Sequence, residues 1–227
     1  MKNYSKKSAV TSVSFNNKTY KKTKLHKTVL IRYKKMADLV EADGRVLDVA
    51  CGYGSFMKMI KNKCLVEGVE ISKKATEIGI DKGLKIKTCS LEKKLPFNNN
   101  SFDGITAGEI IEHLYDTDFF LKELYRVLKP KGYLIISTPN IASLGRRLML
   151  LLGRNPNIET NLGNKSFGHI RYFTKQSLKQ LLLANRFKPE YFTSTIVNFS
   201  VNSNIYSELL ARFFPTLGSI LIFKCRK

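Results

Sequence analysis

Along residues 25–40 the apolar positions Leu25, Val29, Tyr33, Met36, Leu39 and Val40 recur at helical spacing, which predicts an amphipathic helix closed by Ala42-Asp43-Gly44. After Arg45 the period changes. Short apolar runs at 46–50, 65–70, 84–88, 102–107 and 133–138 read as buried strands, the last of them continuously apolar as a central parallel strand should be. Between them lie helical stretches at 55–62, at 73–81 behind the capping residue Ser72, and at 116–128, where Pro130 forbids continuation. Alternating strands and helices at this spacing imply an α/β fold, with a parallel sheet covered by helices on both faces. Ligands of such sheets lie beyond the carboxyl ends of the strands, so the loops after strands one, two and four are where chemistry is expected.

The first of those loops reads Asp48-Val49-Ala50-Cys51-Gly52-Tyr53-Gly54. Glycines here permit positive φ and close approach of backbone to a ligand. The spacing is not that of a dinucleotide loop, because Met57 stands where the third glycine belongs, and no Gly-Lys-Ser/Thr follows to make a P-loop. A second acid, Glu70, ends the second strand, where a carboxylate can receive both hydroxyls of a ribose. Its bland alternative is a charge at a helix N-terminus beside Ser72.

A chain of 227 residues suits one large α/β domain with an appendage. Residues 1–43 read as a basic arm plus the amphipathic helix, and 44–227 as the main domain. No acidic residue precedes Asp38, and the whole chain carries a formal charge of +21. Such an arm suits an anionic membrane surface or nucleic acid, or is a solvated tail. The four cysteines are scattered without C-x-x-C spacing and sit in apolar runs, as expected in a reducing cytoplasm. The first 24 residues have no apolar central run and so no secretory signal. The apolar stretch 205–223 is broken by Glu208, Arg212, Pro215 and Gly218, so no transmembrane segment is expected.

Taken with Val66-Glu-Gly-Val-Glu-Ile-Ser72, Leu95-Pro-Phe97, Ser101-Phe-Asp103, Glu109-Ile-Ile-Glu-His-Leu114 and Arg126-Val-Leu-Lys-Pro-Lys-Gly132, the loop motif resembles the class I S-adenosylmethionine-dependent methyltransferases. The resemblance runs from about Arg45 to the C-terminus. It implies a Rossmann-like, seven-stranded, mostly parallel sheet whose last strand is antiparallel, with 187–199 and 219–224 as the closing hairpin. It implies S-adenosylmethionine as cofactor, met by Asp48, Ala50, Gly52, Gly54 and Gly108 at the methionine end, by Glu70 and Ile71 at the ribose, and by Ser90 and Leu91 at adenine. Many members carry Asp where Ser90 stands.

The acceptor side is read from two segments. If 107–114 turns helically, Glu109, Glu112 and His113 share a face. His113 is then a candidate general base, or the three residues bind a divalent metal, as a similar run in quinone-pathway O-methyltransferases suggests. The bland alternative has the two glutamates contacting cofactor and His113 merely packing. The segment Gly168-His-Ile-Arg-Tyr-Phe-Thr174 resembles one in bacterial methyltransferases of glycans, lipids and secondary metabolites, and makes His169, Arg171 and Tyr172 acceptor candidates within a covering insertion, 139–173. Thr174 is expected to cap the helix after it. In 144–152, leucines with Arg146, Arg147 and Arg154 read either as a pocket cover or as an interfacial helix with a basic rim. The leading expectation is O-methylation of a small molecule, glycan or lipid-linked intermediate. The alternatives are an RNA methyltransferase, against which the missing Asn/Asp-Pro-Pro-Tyr tetrad counts, and a cofactor-binding regulatory protein without turnover.

Overall fold

The computed structural model describes residues 25–156, 168–199 and 205–227. The expectations for the basic arm before residue 25 and for the loop at 157–167 fall outside the described residues.

A helix, α1 (Lys27–Leu39), precedes β1 (Arg45–Val49), α2 (Ser55–Ile60), β2 (Leu65–Glu70), α3 (Lys73–Ile80), β3 (Lys85–Thr88) and β4 (Phe102–Gly108). Then come α4 (Thr117–Val127), β5 (Leu128–Pro139), α5 (Leu144–Leu151), α6 (Lys175–Ala184), β6 (Lys188–Ser194), β7 (Val197–Asn198), β8 (Tyr206–Ser207), α7 (Glu208–Phe213) and β9 (Ile220–Arg226). Seven strands form one sheet in the order β3-β2-β1-β4-β5-β9-β6, with β9 antiparallel to both neighbours. β7 and β8 make a separate two-stranded ribbon. The order reverses between β1 and β4, which pair in parallel through Val49↔Ala107, so the switch point lies between the two loops that carry the candidate residues.

Side-chain alternation sorts the core onto two faces. Leu47, Ile105, Leu134, Ile136, Leu221 and Phe223 face one way and pack with α4 and α6. Val46, Tyr133, Ile135 and Ile222 face the other, against Met36, Ala37 and Val40 from α1 and its end, and Phe56 and Ile60 of α2. The first helix is thus part of the core. Local signals start the helices where the chain says they should: Ala75 N–H donates to Ser72 Oγ, Phe119 N–H to Asp116 Oδ1 and Ser177 N–H to Thr174 Oγ1. The stop after α4 differs in detail, because β5 begins at Leu128 and carries Lys129-Pro130-Lys131-Gly132 as an irregularity in its pairing with β4. No helix among the described residues is long and apolar enough to cross a membrane.

Candidate active site

The loop after β1 owes its shape to backbone that few side chains tolerate. Ala50, Gly52 and Gly54 all have positive φ, at 54°, 56° and 79°. Alanine there is uncommon. A Cβ on Gly54 would lie 2.1 Å from Leu84 Cδ1, so a side chain there would displace that leucine tip as well as strain the positive φ. Glu70, almost wholly buried, pins the loop to β2: Gly52 N–H donates to Oε2 and Ser72 N–H to Oε1, both at 2.9 Å. Burial raises its pKa, and backbone N–H groups of Ser72, Gly52 and Ile71 oppose the rise. The two carboxylate oxygens together offer about four acceptor sites, so these three donors leave room for a further one. Ser90 Oγ accepts a bond from Glu92 N–H within its own turn, and Leu91 is buried in the core beside it.

Asp48 lies at the end of β1 and accepts a 2.6 Å bond from Thr106 Oγ1 of β4. Burial pushes its carboxyl up to about 7, against the pull of that bond and of Arg32. Arg32 was absent from the sequence candidates, and α1 delivers it. It is 8% exposed, its Nε and Nη1 are buried without a hydrogen bond, and Nη1 lies 3.7 Å from Glu109 Oε1. A Cβ on Gly108 would meet that same nitrogen at 3.5 Å. A buried cation with unsatisfied N–H groups, beside a buried acid, suits the two charged ends of an amino acid: carboxylate for Arg32, ammonium for Asp48. The residues present therefore fit the methionine moiety of S-adenosylmethionine, and Glu70 fits its ribose.

Beyond β4 the expected helical face does not form. Glu109 adopts positive φ, 55°, and its N–H bonds back to Ser137 O, after which a single 3-10 turn, Ile111–His113, follows. Glu109 turns toward Arg32 and Ser137, whereas Glu112 sits beneath His113. The histidine that joins them comes from the segment 168–173, which precedes α6. His169 lies against His113 with ring centroids 4.7 Å apart and the ring planes tilted by 52°, and the two Nε2 atoms lie 4.0 and 3.9 Å from Glu112 Oε1. Ligand atoms of Glu112, His113 and His169 all fall within 4.8 Å of one another, so a divalent ion would find these three rather than the trio containing Glu109. Glu112 is buried. Its Oε2 accepts from Thr138 Oγ1, and its Oε1 has no hydrogen bond. Burial, then repulsion by Glu109, holds its pKa well above the ordinary carboxylate value.

This segment is laced down here. Ile170 and Arg171 N–H donate to Glu112 O, the Arg171 guanidinium donates to Leu114 O and Tyr115 O, and a bridge joins Asn140 to Phe173. Arg171 therefore fastens the strap that carries His169. Tyr172 is half-exposed beside it, and Phe173 is buried. One other recess, of about 800 Å³, is lined by Arg45, Lys94, Phe97 and Arg126 and touches none of these loops. Its arginines are spent on Glu67 and Glu123.

Residues 23–190 match a family model described as a methyltransferase domain. The chain is 32% identical over 110 residues to the mitochondrial ubiquinone biosynthesis O-methyltransferase of Rattus norvegicus, covering 44% of this chain and 32% of that protein. It is 34% identical over 109 residues to the demethylmenaquinone methyltransferase of Staphylococcus epidermidis, covering 42% and 43% respectively. The chain thus aligns with less than half the length of either relative. Among solved structures, a protein of Thermotoga maritima described as a SAM-dependent methyltransferase superposes with a TM-score of 0.64 at 24% identity, covering 88% of this chain and 92% of the other.

Proposed function

Because this chain belongs to the methyltransferase domain family, we propose that it transfers a methyl group from S-adenosylmethionine to a hydroxyl oxygen of a small-molecule acceptor. The observation that carries the reading is the His113–His169 pair over buried Glu112, built onto the same sheet edge as Asp48, Arg32 and Glu70. Bound S-adenosylmethionine supplies a methyl group already activated by its sulfonium, so alignment provides much of the rate. Arg32 holds the methionine carboxylate and Asp48 the ammonium, while Glu70 receives the ribose hydroxyls. Ala50, Gly52, Gly54 and Gly108 let the backbone close on that end, Ile71 lies with Glu70 at the ribose, and Ser90 and Leu91 flank the adenine.

His113 takes the proton from the acceptor hydroxyl as the oxygen attacks. Its Nδ1 lies 3.2 Å from Gly168 O. Assigning the Nδ1 proton to that carbonyl leaves Nε2 as the basic atom. His169 and Tyr172 line the acceptor side, and Arg171 positions them through Leu114 and Tyr115. The name of the ubiquinone-pathway relative, an O-methyltransferase, favours a hydroxyl on a quinone-type ring as acceptor. A second reading rests on the three converging ligands: Glu112, His113 and His169 hold a divalent cation that acidifies the hydroxyl.

The test is incorporation of label from methyl-labelled S-adenosylmethionine into quinol-type phenols, with RNA and glycan fractions as comparison. Label in phenols, retained in chelator, is the expected result for the histidine base. Loss in chelator with recovery in magnesium replaces it by the metal reading. Label in RNA alone, or cofactor binding with no turnover toward any fraction, overturns O-methylation of a small molecule.

A further inference from the structure

Two short helices beside the site turn their apolar side chains away from the protein. In α5 and its end, Leu148, Leu150, Leu151 and Leu152 are exposed, whereas Gly145, Met149 and Arg146, within about 100° of one another at 3.6 residues per turn, form the more buried side. The inner side touches protein: a Cβ on Gly145 would lie 2.8 Å from Asn198 O, and Arg146 donates to Asn140 O and Ser219 O at 2.6 and 2.9 Å. The outer side is open, with Leu151 and Leu152 81% and 70% exposed. α7 repeats the arrangement, burying Ala211 and exposing Leu209, Phe213 and then Phe214. Both helices pack against β7, where exposed Phe199 and Ile205 close the ribbon by a backbone bond. This module holds more than half of the large apolar side chains exposed among the described residues. A contiguous apolar patch of that kind marks an interaction surface.

The charges around it select the occupant. Exposed Arg147, Arg154 and Arg212 rim these side chains; the acid on these helices, Glu208, faces the cation of Lys35. A two-fold contact with a second copy would set this cationic rim against itself, in a chain already at +21. We propose that α5 and α7 dock onto an anionic lipid surface, the leucine and phenylalanine side chains entering the headgroup–acyl boundary and the arginines meeting lipid phosphates. α5 follows the carboxyl end of β5, so docking turns the edge that bears the histidine pair toward the lipid. The surface does not depend on which acceptor is methylated.

The test is co-sedimentation of the full chain with phosphatidylcholine vesicles, with and without phosphatidylglycerol. Binding is expected with the anionic vesicles and weakens in high salt. Leu151→Gln with Leu152→Gln leaves the charge unchanged, and should lower the partition coefficient by about tenfold or more. Phe213→Gln is a second, separate variant, and unchanged thermal midpoints confirm that both remain folded. A wild-type chain that stays in solution overturns the proposal. So do variants that bind like wild type, because the basic arm then accounts for the attraction. A concentration-dependent dimer in sedimentation velocity that the same substitutions dissolve would make a second copy the occupant instead.

Discussion

The loop after β1 and the segment after β4 lie on one edge of the sheet and are built by different means. The first is shaped by backbone: three residues at positive φ, tied to the end of the next strand by the bond from Gly52 N–H to Glu70. Everything it needs is local in sequence and rests on paired central strands. The second relies on side chains, and one of its two histidines arrives on a strap held by Glu112 O and by Arg171. A site made of backbone on a rigid sheet is set before its ligand arrives. A site completed by such a strap can be revised without disturbing the fold. Under the proposed function the first region holds the methyl donor and the second the acceptor.

The sharpest way to break that division is to remove His113. His113→Ala should lower kcat by about 10²- to 10⁴-fold, the usual worth of a general base, while calorimetry finds S-adenosylmethionine affinity unchanged. A fall in affinity of similar size would merge the two ends into one site. On the proposed donor side, Glu70→Ala removes the acceptor for the Gly52 and Ser72 N–H groups and for the proposed ribose contact. It should weaken cofactor binding by about a hundredfold, at roughly 1.5 kcal/mol for each of two charge-assisted bonds. Arg32→Ala, removing one ion pair to the methionine carboxylate, should weaken it by about tenfold. Equal affinity in Arg32→Ala, with an unchanged thermal midpoint, would take α1 out of the site.

The same division explains what could be read along the chain. Asp48, the glycines and Glu70 were legible because their meaning is set by strand ends and backbone dihedrals within a short stretch. The antiparallel β9 followed from the family resemblance and not from its own residues. Arg32 left a signal that periodicity alone passes over: it is a charged residue between Val29 and Met36, on the apolar stripe of an amphipathic helix. A cation placed there is buried only if something anionic waits for it. The helical face drawn through Glu109, Glu112 and His113 failed on one dihedral, since Glu109 at positive φ takes its side chain away to Arg32. The pairing of His113 with His169 is tertiary. Spacing cannot reveal it, although each histidine was a candidate on its own.

The smallest effect expected is also the one that tests the donor end most directly, through pH. An aspartate in an unfolded chain titrates near ~3.9, whereas burial pushes Asp48 up to about 7 in the fold. The folded protein therefore binds more protons than the unfolded chain between about pH 4 and 7. Stability drawn from this group is present at the acid end of that window and is lost as pH rises through it; Asp48→Asn should flatten the decline. Cofactor binding runs the other way. An ammonium group prefers the ionised carboxylate, so wild-type affinity for S-adenosylmethionine should rise with pH, by up to about tenfold per unit below 7, and level off above it. Calorimetric titrations between about pH 6 and 8 read the affinity slope and thermal midpoints between about pH 4 and 7 the stability slope, and in Asp48→Asn the affinity slope should vanish. A wild-type affinity that stays flat across the window would mean the ammonium binds elsewhere. Arg32 and Glu70 would then be the charged anchors, and the raised carboxyl of Asp48 a cost of burial offset by its bond to Thr106.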